Sequence, residues 1–507
     1  MGRCMLIFET LLAMMLGAVL LSMLAQRAGL PYPTLLAAAG AGLALMPDLP
    51  SISLPPDLIL ALFVAPILLD AAHDMSLRDL RRNWRPVFSL VVVAVGLTTI
   101  TVAATAKWFI PDMPWAAAVA LGALLAPPDA VAALAVMRQV QPPRRIRTVI
   151  EGESLLNDAS SLLIYRLAVA SVAAGGFDVT DAVPAFVLVA FGSALAGWFL
   201  AKLIGSVLRS VEDVASATIL QFVSTFGVWL LAERLHLSGV ITVVTFGLTT
   251  ARASSAAIPA IVRVSSFATW ETVTFVLNVL AFLLVGLQLR SVLNSIEPGG
   301  LTSMIGPALA ILAVVIVVRL VWVLTYRAFP QVSSSFATPA ESLKAAIVVG
   351  WSGMRGIVTL AAALALPEGF PYRDFILLTA FVVVLGTLVV QGLTLKPLLT
   401  WLNMRRDGDG QDEIDLARSV AKRAAMDGLK RFQGPAVAAL KHKYDAIYVS
   451  HGSDPDDTDG DMKSMRQAMV QAARGAIDAL RDSGTIGDEA YRQIEEELDW
   501  FELSGGR

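Results

Sequence analysis

The stretch TVIEGESLLNDASSLLIYRLA, Thr148 to Ala168, reads as a membrane-spanning helix that nonetheless carries Glu151, Glu153, Asn157 and Asp158. An acid at bilayer depth costs roughly 2.5–3.5 kcal/mol on insertion scales, so acids kept there mark function. At about 100° per residue, Glu153, Asn157 and Ser161 fall on one side of the helix, with Ser154 and Asp158 just beside them. Leu155, Leu156, Leu162 and Leu163 take the other side. A polar stripe on an apolar cylinder faces protein or water, not lipid. Counted from Thr148, Asp158 lies roughly 15 Å in, near the middle of a hydrocarbon core. A carboxylate there holds a cation or a proton, but not readily both, which is the elementary requirement for exchanging one for the other. A structural hydrogen bond between helices would explain a lone Asp, but it explains several polar groups on one stripe poorly.

The rest of the chain places this helix in a membrane. It is 56% hydrophobic and only 16% charged, with a mean hydropathy of +0.67, a composition of the membrane class. No basic domain suggests nucleic acid. One cysteine, Cys4, excludes an internal disulfide framework and a cysteine metal site. No phosphate-binding GxxxxGK[ST] loop points to ATP, and no cofactor is expected.

Apolar runs long enough to span occur near 5–26, 30–46, 57–75, 85–110, 114–137, 148–174 and 182–209. More follow near 213–235, 237–251, 265–290, 301–329, 344–366 and 373–400, about thirteen in all. The first is read as a retained helix, being long for a signal-peptide core with a weak basic flank. Basic residues follow alternate runs: Arg78, Arg81, Arg82 and Arg85; Arg138, Arg144, Arg145 and Arg147; Lys202 and Arg209; Arg252 and Arg263; Arg327 and Lys344; Arg405 and Arg406. The loops 47–57, 175–182 and 291–300 have no Lys or Arg. By the positive-inside rule the N-terminus lies outside and the C-terminus in the cytoplasm, so the number of spans is odd.

Thirteen spans suggest two inverted six-helix halves and a linker. Two runs look broken, and each is the fifth of its half. One contains Ala126-Pro127-Pro128-Asp129-Ala130, where two prolines remove two backbone donors. The other contains Gly350-Trp351-Ser352-Gly353-Met354-Arg355-Gly356. Broken helices at matching places in inverted repeats are a transporter architecture. The expected fold is therefore an all-α polytopic membrane domain over 1–401. A helical cytoplasmic region, 402–507, has charged helical patterning at 412–432, an acidic linker at 451–461 and two amphipathic helices within 462–502. The acidic run is not a calcium loop, because counting from Gly460 puts Pro455 and Arg466 at the first and last ligand positions. His73, His236, His442 and His451 are read as ordinary surface or interfacial histidines.

Further charges lie at membrane depth: Asp70, Asp129, Arg319 and Arg355. Unpaired they would be expensive, so mutual pairing is expected. Arginine stays protonated when buried, so Arg319 can orient acids or Asn157 without competing for a transported proton.

With these residues in place the chain resembles bacterial sodium/proton antiporters of the NhaP/NHE type, the first monovalent cation:proton antiporter family. The run EGESLLND, ending in Asn157-Asp158, is similar to the signature of that family's ion-binding helix. Pro128-Asp129-Ala130-Val131-Ala132 occupies the place of its Thr-Asp-Pro-Val-Ala motif. Gly353-Met354-Arg355-Gly356 resembles its Gly-Leu-Arg-Gly motif, and Gln391-Gly392 with Lys396-Pro397 its final helix. The resemblance covers about residues 5–400. It implies that Asp158 binds cation and proton in turn. Asn157 would hold the unwound helix and mark an electroneutral one-for-one subclass, and Glu153 and Ser154 would complete or gate the site. Asp129 would lie beside the ion, and Arg319 would pair with Asp70, with Arg355 as a further supporting charge. Ion ligands would come from Asp158, Ser154 and the Pro128 carbonyl. Two positions depart from the pattern and bear on ion selectivity: Pro128 replaces a threonine, and Asp70 replaces a common glutamate.

The function expected is sodium or lithium exchange against protons in a bacterial plasma membrane. It would proceed by alternating access in a homodimer and serve pH and sodium homeostasis. Potassium/proton exchange by the same fold is the nearest alternative. A cation channel is opposed by Arg319 and Arg355, and an intramembrane aspartyl protease by the neighbours of Asp129 and Asp158, neither of which sits in a Tyr-Asp or Gly-x-Gly-Asp sequence.

Overall fold

The computed structural model describes residues 2–46, 55–140, 142–173, 179–208, 210–211, 213–251, 260–296, 300–327, 339–403, 409–432 and 460–504. Arg209, Arg252, Arg405, Arg406, His442, His451 and most of the acidic run at 451–461 lie outside them. The regular elements among the described residues are all helices, with no strand.

The first half opens with α1 (Gly2–Ala28) and α2 (Tyr32–Ala44), followed by α3 (Ala65–Asp74) and a short α4 (Leu77–Arg82). Pro66 cannot donate to the turn before it, and that turn, Leu60–Val64, winds as π-helix. Then come α5 (Val95–Phe109), α6 (Trp115–Leu125), α7 (Ala130–Val140) and α8 (Arg144–Ala173). The middle of the chain holds α9 (Val179–Leu208), α10 (Val214–Arg234), α11 (Gly239–Thr250) and α12 (Ala260–Ser295). The second half ends with α13 (Gly300–Tyr326), α14 (Pro339–Trp351), α15 (Ile357–Leu364) and α16 (Arg373–Leu402). Among the described residues eight stretches, counting α6 and α7 together, are long and apolar enough to cross a membrane. Leu188 and Phe191 of α9 are exposed, as lipid-facing residues are.

Packing sorts these helices into two bodies. In one, α2 lies along α12, α9 along α11, and α11 against α3. In the other, α6 packs between α5 and α8, and α13 against α14 and α16. We call the first the panel and the second the core. Small residues bring the panel helices close. A Cβ added to Gly286 of α12 would strike the Ala37 carbonyl of α2, and one on Gly40 would strike the Leu283 carbonyl. Gly286→Val is therefore expected to destabilise the protein by about 1–3 kcal/mol through overpacking, read as a lowered melting temperature in detergent. His73 ties α3 to α11, its Nδ1 lying 2.9 Å from the Leu69 carbonyl and its Nε2 3.1 Å from Thr250 Oγ1.

Both expected breaks are present. The chain leaves α6 at Leu125 and re-enters helix at Ala130, because Pro127 and Pro128 supply no N–H to continue the ladder. It leaves α14 at Trp351 and re-enters at Ile357.

Beyond the membrane body, α17 (Asp409–Gly428), α18 (Gly460–Asp482) and α19 (Asp488–Leu503) form a three-helix module. Its own core includes Ala417 and Ala421, Met469 and Ile477, and Ile494 and Leu498. The spacing places each pair on one helix face.

Candidate functional site

The site is built where the two broken helices cross. The Asp129 N–H donates to the Met354 carbonyl at 2.6 Å, joining the breaks directly. Four helix ends meet here, and each would leave orphan backbone groups. The last carbonyls of α6 are met by Arg355, whose Nε donates to Leu125 O at 3.0 Å and whose Nη2 donates to Ala126 O at 3.4 Å. Its Nη1 donates to the Gly353 carbonyl, past the end of α14. The starts of α7 and α15 are met by Asp129. Its Oδ1 accepts the Val131 N–H at 2.8 Å, and its carboxylate lies so close to Gly356 that any Cβ there would collide with it. A cation thus sits at two helix C-termini and an anion at two N-termini, each where the backbone dipoles favour it.

The polar stripe of α8 divides. Glu153, Asn157 and Ser161 turn inward and are buried. Arg319 of α13 grips both oxygens of Glu153, with Nη2 at 2.7 Å from Oε2, and also reaches the Val349 carbonyl at 3.0 Å. Asn157 Nδ2 donates to Glu153 Oε1 at 3.3 Å. Two expectations are corrected here. Arg319 pairs with Glu153, not Asp70, because Glu153 points at α13. Asn157 does not hold the unwound helix; Ser154 does, its Oγ accepting the Ala130 N–H at 3.2 Å.

Ser154 and Asp158 turn about 100° away from that face, into a cavity of about 770 Å³ that Pro128, Asp129 and Asp70 also line. Among the described residues no group donates a hydrogen bond to the Asp158 carboxylate or forms an ion pair with it. Asn157 Oδ1, buried nearby on the same helix, has no protein donor either. The cavity is also lined by Arg138, Arg147, Glu151 and Asp74, toward the face that carries the C-terminal module. Its panel wall adds Tyr32 and Glu271, which the sequence reading passed over. Glu271 breaks an apolar run in α12, the same signal that singled out Asp70. No cluster of His, Cys, Asp and Glu able to hold a resident metal occurs among the described residues.

Comparison with known proteins adds the following. The transmembrane part of the sodium/hydrogen exchanger family matches residues 12–401. An uncharacterized Na+/H+ exchanger of Mycobacterium tuberculosis is 30% identical, over 97% of this chain and 95% of its own length. A protein of Bacillus pumilus, named as a sodium, potassium, lithium and rubidium/H+ antiporter, is 32% identical over 78% of this chain and 61% of its own. The sodium proton antiporter MjNhaP1 of Methanocaldococcus jannaschii superposes with a TM-score of 0.61 at 18% identity, over 77% of this chain and 99% of that one. It has the same fold.

Proposed function

This chain belongs to the sodium/hydrogen exchanger family, whose members are membrane transporters and not enzymes, and we propose that it exchanges one Na+ or Li+ for one H+ at Asp158. The observation that carries this reading is the Asp158 carboxylate, which faces a cavity at the crossing of the broken helices and is given no hydrogen bond or ion pair by the described residues. Its two neighbours there are held: Glu153 by Arg319, and Asp129 by the Val131 N–H at the start of α7. At the crossing Asp158 is then the acid left to trade its proton, which favours one charge for one charge and an electroneutral cycle; Asp70 lines the same cavity from α3.

A cation at Asp158 would draw further oxygen ligands from the Pro128 carbonyl, Ser154 and water, with Asp129 and Asp70 adding negative potential. Hard oxygen ligands suit sodium and lithium. The core would then move against the panel, and a proton on the other side would displace the cation. The module, with Arg78, Arg138 and Arg144, lies on the face that the positive-inside rule makes cytoplasmic. The cavity would thus be open to the cytoplasm, in a bacterial plasma membrane, with a second copy of the chain as partner. The physiological role would be sodium and pH homeostasis. Potassium is the second reading, because oxygen ligands alone do not exclude it and the Bacillus pumilus relative is named for potassium among its cations.

The test is proton flux in proteoliposomes with a preset pH gradient, on adding sodium, lithium or potassium. Sodium or lithium should collapse the gradient. If only potassium does, the ion assignment fails. Competition at one carboxylate also sets the pH dependence. Where Asp158 is mostly protonated, each unit fall in pH should raise the apparent KM for sodium about tenfold at constant maximal rate. A KM independent of pH would rule out a shared site.

A further inference from the structure

The C-terminal module touches both bodies of the membrane domain, on the face where the cavity opens. On the panel its anchor is Arg263 at the start of α12. Arg263 Nε donates to Asp499 Oδ2 at 2.7 Å and Nη1 lies 3.5 Å from Glu495, in a buried cluster that Arg474 joins from α18. Arg492 adds a second panel contact, donating to the Asp74 carbonyl at 2.6 Å at the end of α3. On the core the link is Arg144, in the first turn of α8. It lies 3.4 Å from Glu489 of α19 and 3.5 Å from Glu413 of α17, and it also pairs with Asp79 of α4 at 3.0 Å. Arg78 of α4 lies 3.9 Å from the same Glu413. Within the module, Glu413 also accepts the Gly487 N–H at 2.7 Å, so α17 and the start of α19 present their acids together.

The two anchorages differ in kind. Asp499 is buried, and its contact with α12 includes helix packing as well as charge. The Arg144 link is polar and partly open to water. A module fixed to one body and held by severable charges to the other resists their relative movement.

We propose that the module made of α17, α18 and α19 is a strap across the core–panel boundary, and that its Arg144 link favours the arrangement with the cavity open toward it. The proposal rests on the alternating-access reading above. A contact made in only one of two arrangements shifts their populations by what the contact is worth.

The test uses the full-length chain with Cys4→Ser and a reporter, Ala135→Cys, on the cavity wall formed by α7. The reporter is labelled by a membrane-impermeant maleimide applied from the face of the module. Two variants cut the link from opposite sides, Glu489→Arg in the module and Arg144→Ala in the core. Each should slow labelling about threefold, the shift one partly exposed ion pair can supply. Labelling at the parent rate or faster in both single variants overturns the strap. Labelling needs no sodium gradient, so it reports on the strap even if proteoliposome flux disproves exchange at Asp158.

Discussion

Asp158→Asn is expected to leave a folded protein that moves no protons in response to sodium. The substitution keeps the size of the side chain and removes its charge. Because the Asp158 carboxylate receives no hydrogen bond from the described residues, no structural contact is lost. Because an acid at membrane depth is costly, the variant should melt no lower than the parent and should even gain stability. The cation, by contrast, loses the carboxylate it would bind. A sodium ion about 2.4 Å from a carboxylate oxygen gains about 7 kcal/mol at an effective dielectric of 20. Losing half of that lowers occupancy more than about 100-fold. Flux in proteoliposomes checks the first expectation and thermal unfolding in detergent the second. Wild-type flux from the variant would end the case for Asp158. A silent variant that also unfolds would assign the residue a structural role instead.

Arg319→Met is expected to act in the opposite sense, on stability before transport. It strands Glu153, a fully buried carboxylate, between Asn157 and an apolar side chain. Breaking one side of a buried pair typically costs about 3–5 kcal/mol, enough to lose most folded protein from a membrane extract. Replacing both partners, Arg319→Met with Glu153→Leu, removes the stranded charge and should recover most of the loss, since well-packed apolar pairs often match a buried ion pair. Flux through the rescued double variant then asks whether the pair only supports the site. Melting of Arg319→Met at the wild-type temperature would contradict the pairing of Arg319 with Glu153.

These expectations also mark what the sequence could and could not reveal. Acids inside apolar runs, the paired prolines and the run from Gly350 to Gly356 are enough to mark the polar helix α8 and both breaks, because hydropathy and backbone chemistry are local properties. The partners were not local. Hydropathy gives depth in the membrane but not which way a neighbouring helix is rotated, so it cannot choose a partner for Arg319, and the resemblance implies Asp70 where the partner is Glu153. The stripe on α8 looked like one surface. A quarter turn divides it into a face that holds the structure together, Glu153 and Asn157, and a face on the cavity, Ser154 and Asp158. Glu271 was visible by the same rule as Asp70 and was passed over. The amphipathic patterning of the tail predicted its helices but not what they dock against, because the charges of Arg144 and Arg263 look the same whether solvated or paired.

The grip of Arg355 on the carbonyls at the end of α6 has a consequence for how the protein is made. Arg355 and Leu125 are 230 residues apart. A ribosome adding about 5–20 residues per second needs roughly 10–50 s to cover that distance. Until then the first broken helix has entered the bilayer with its carbonyls turned to some other donor, water or the insertion machinery, and its Asp129 without Gly356. The first half of the chain therefore waits, incomplete, for the second. Any step that lets synthesis pause, or that helps the halves meet, acts on the yield of active protein without touching a residue of the ion path.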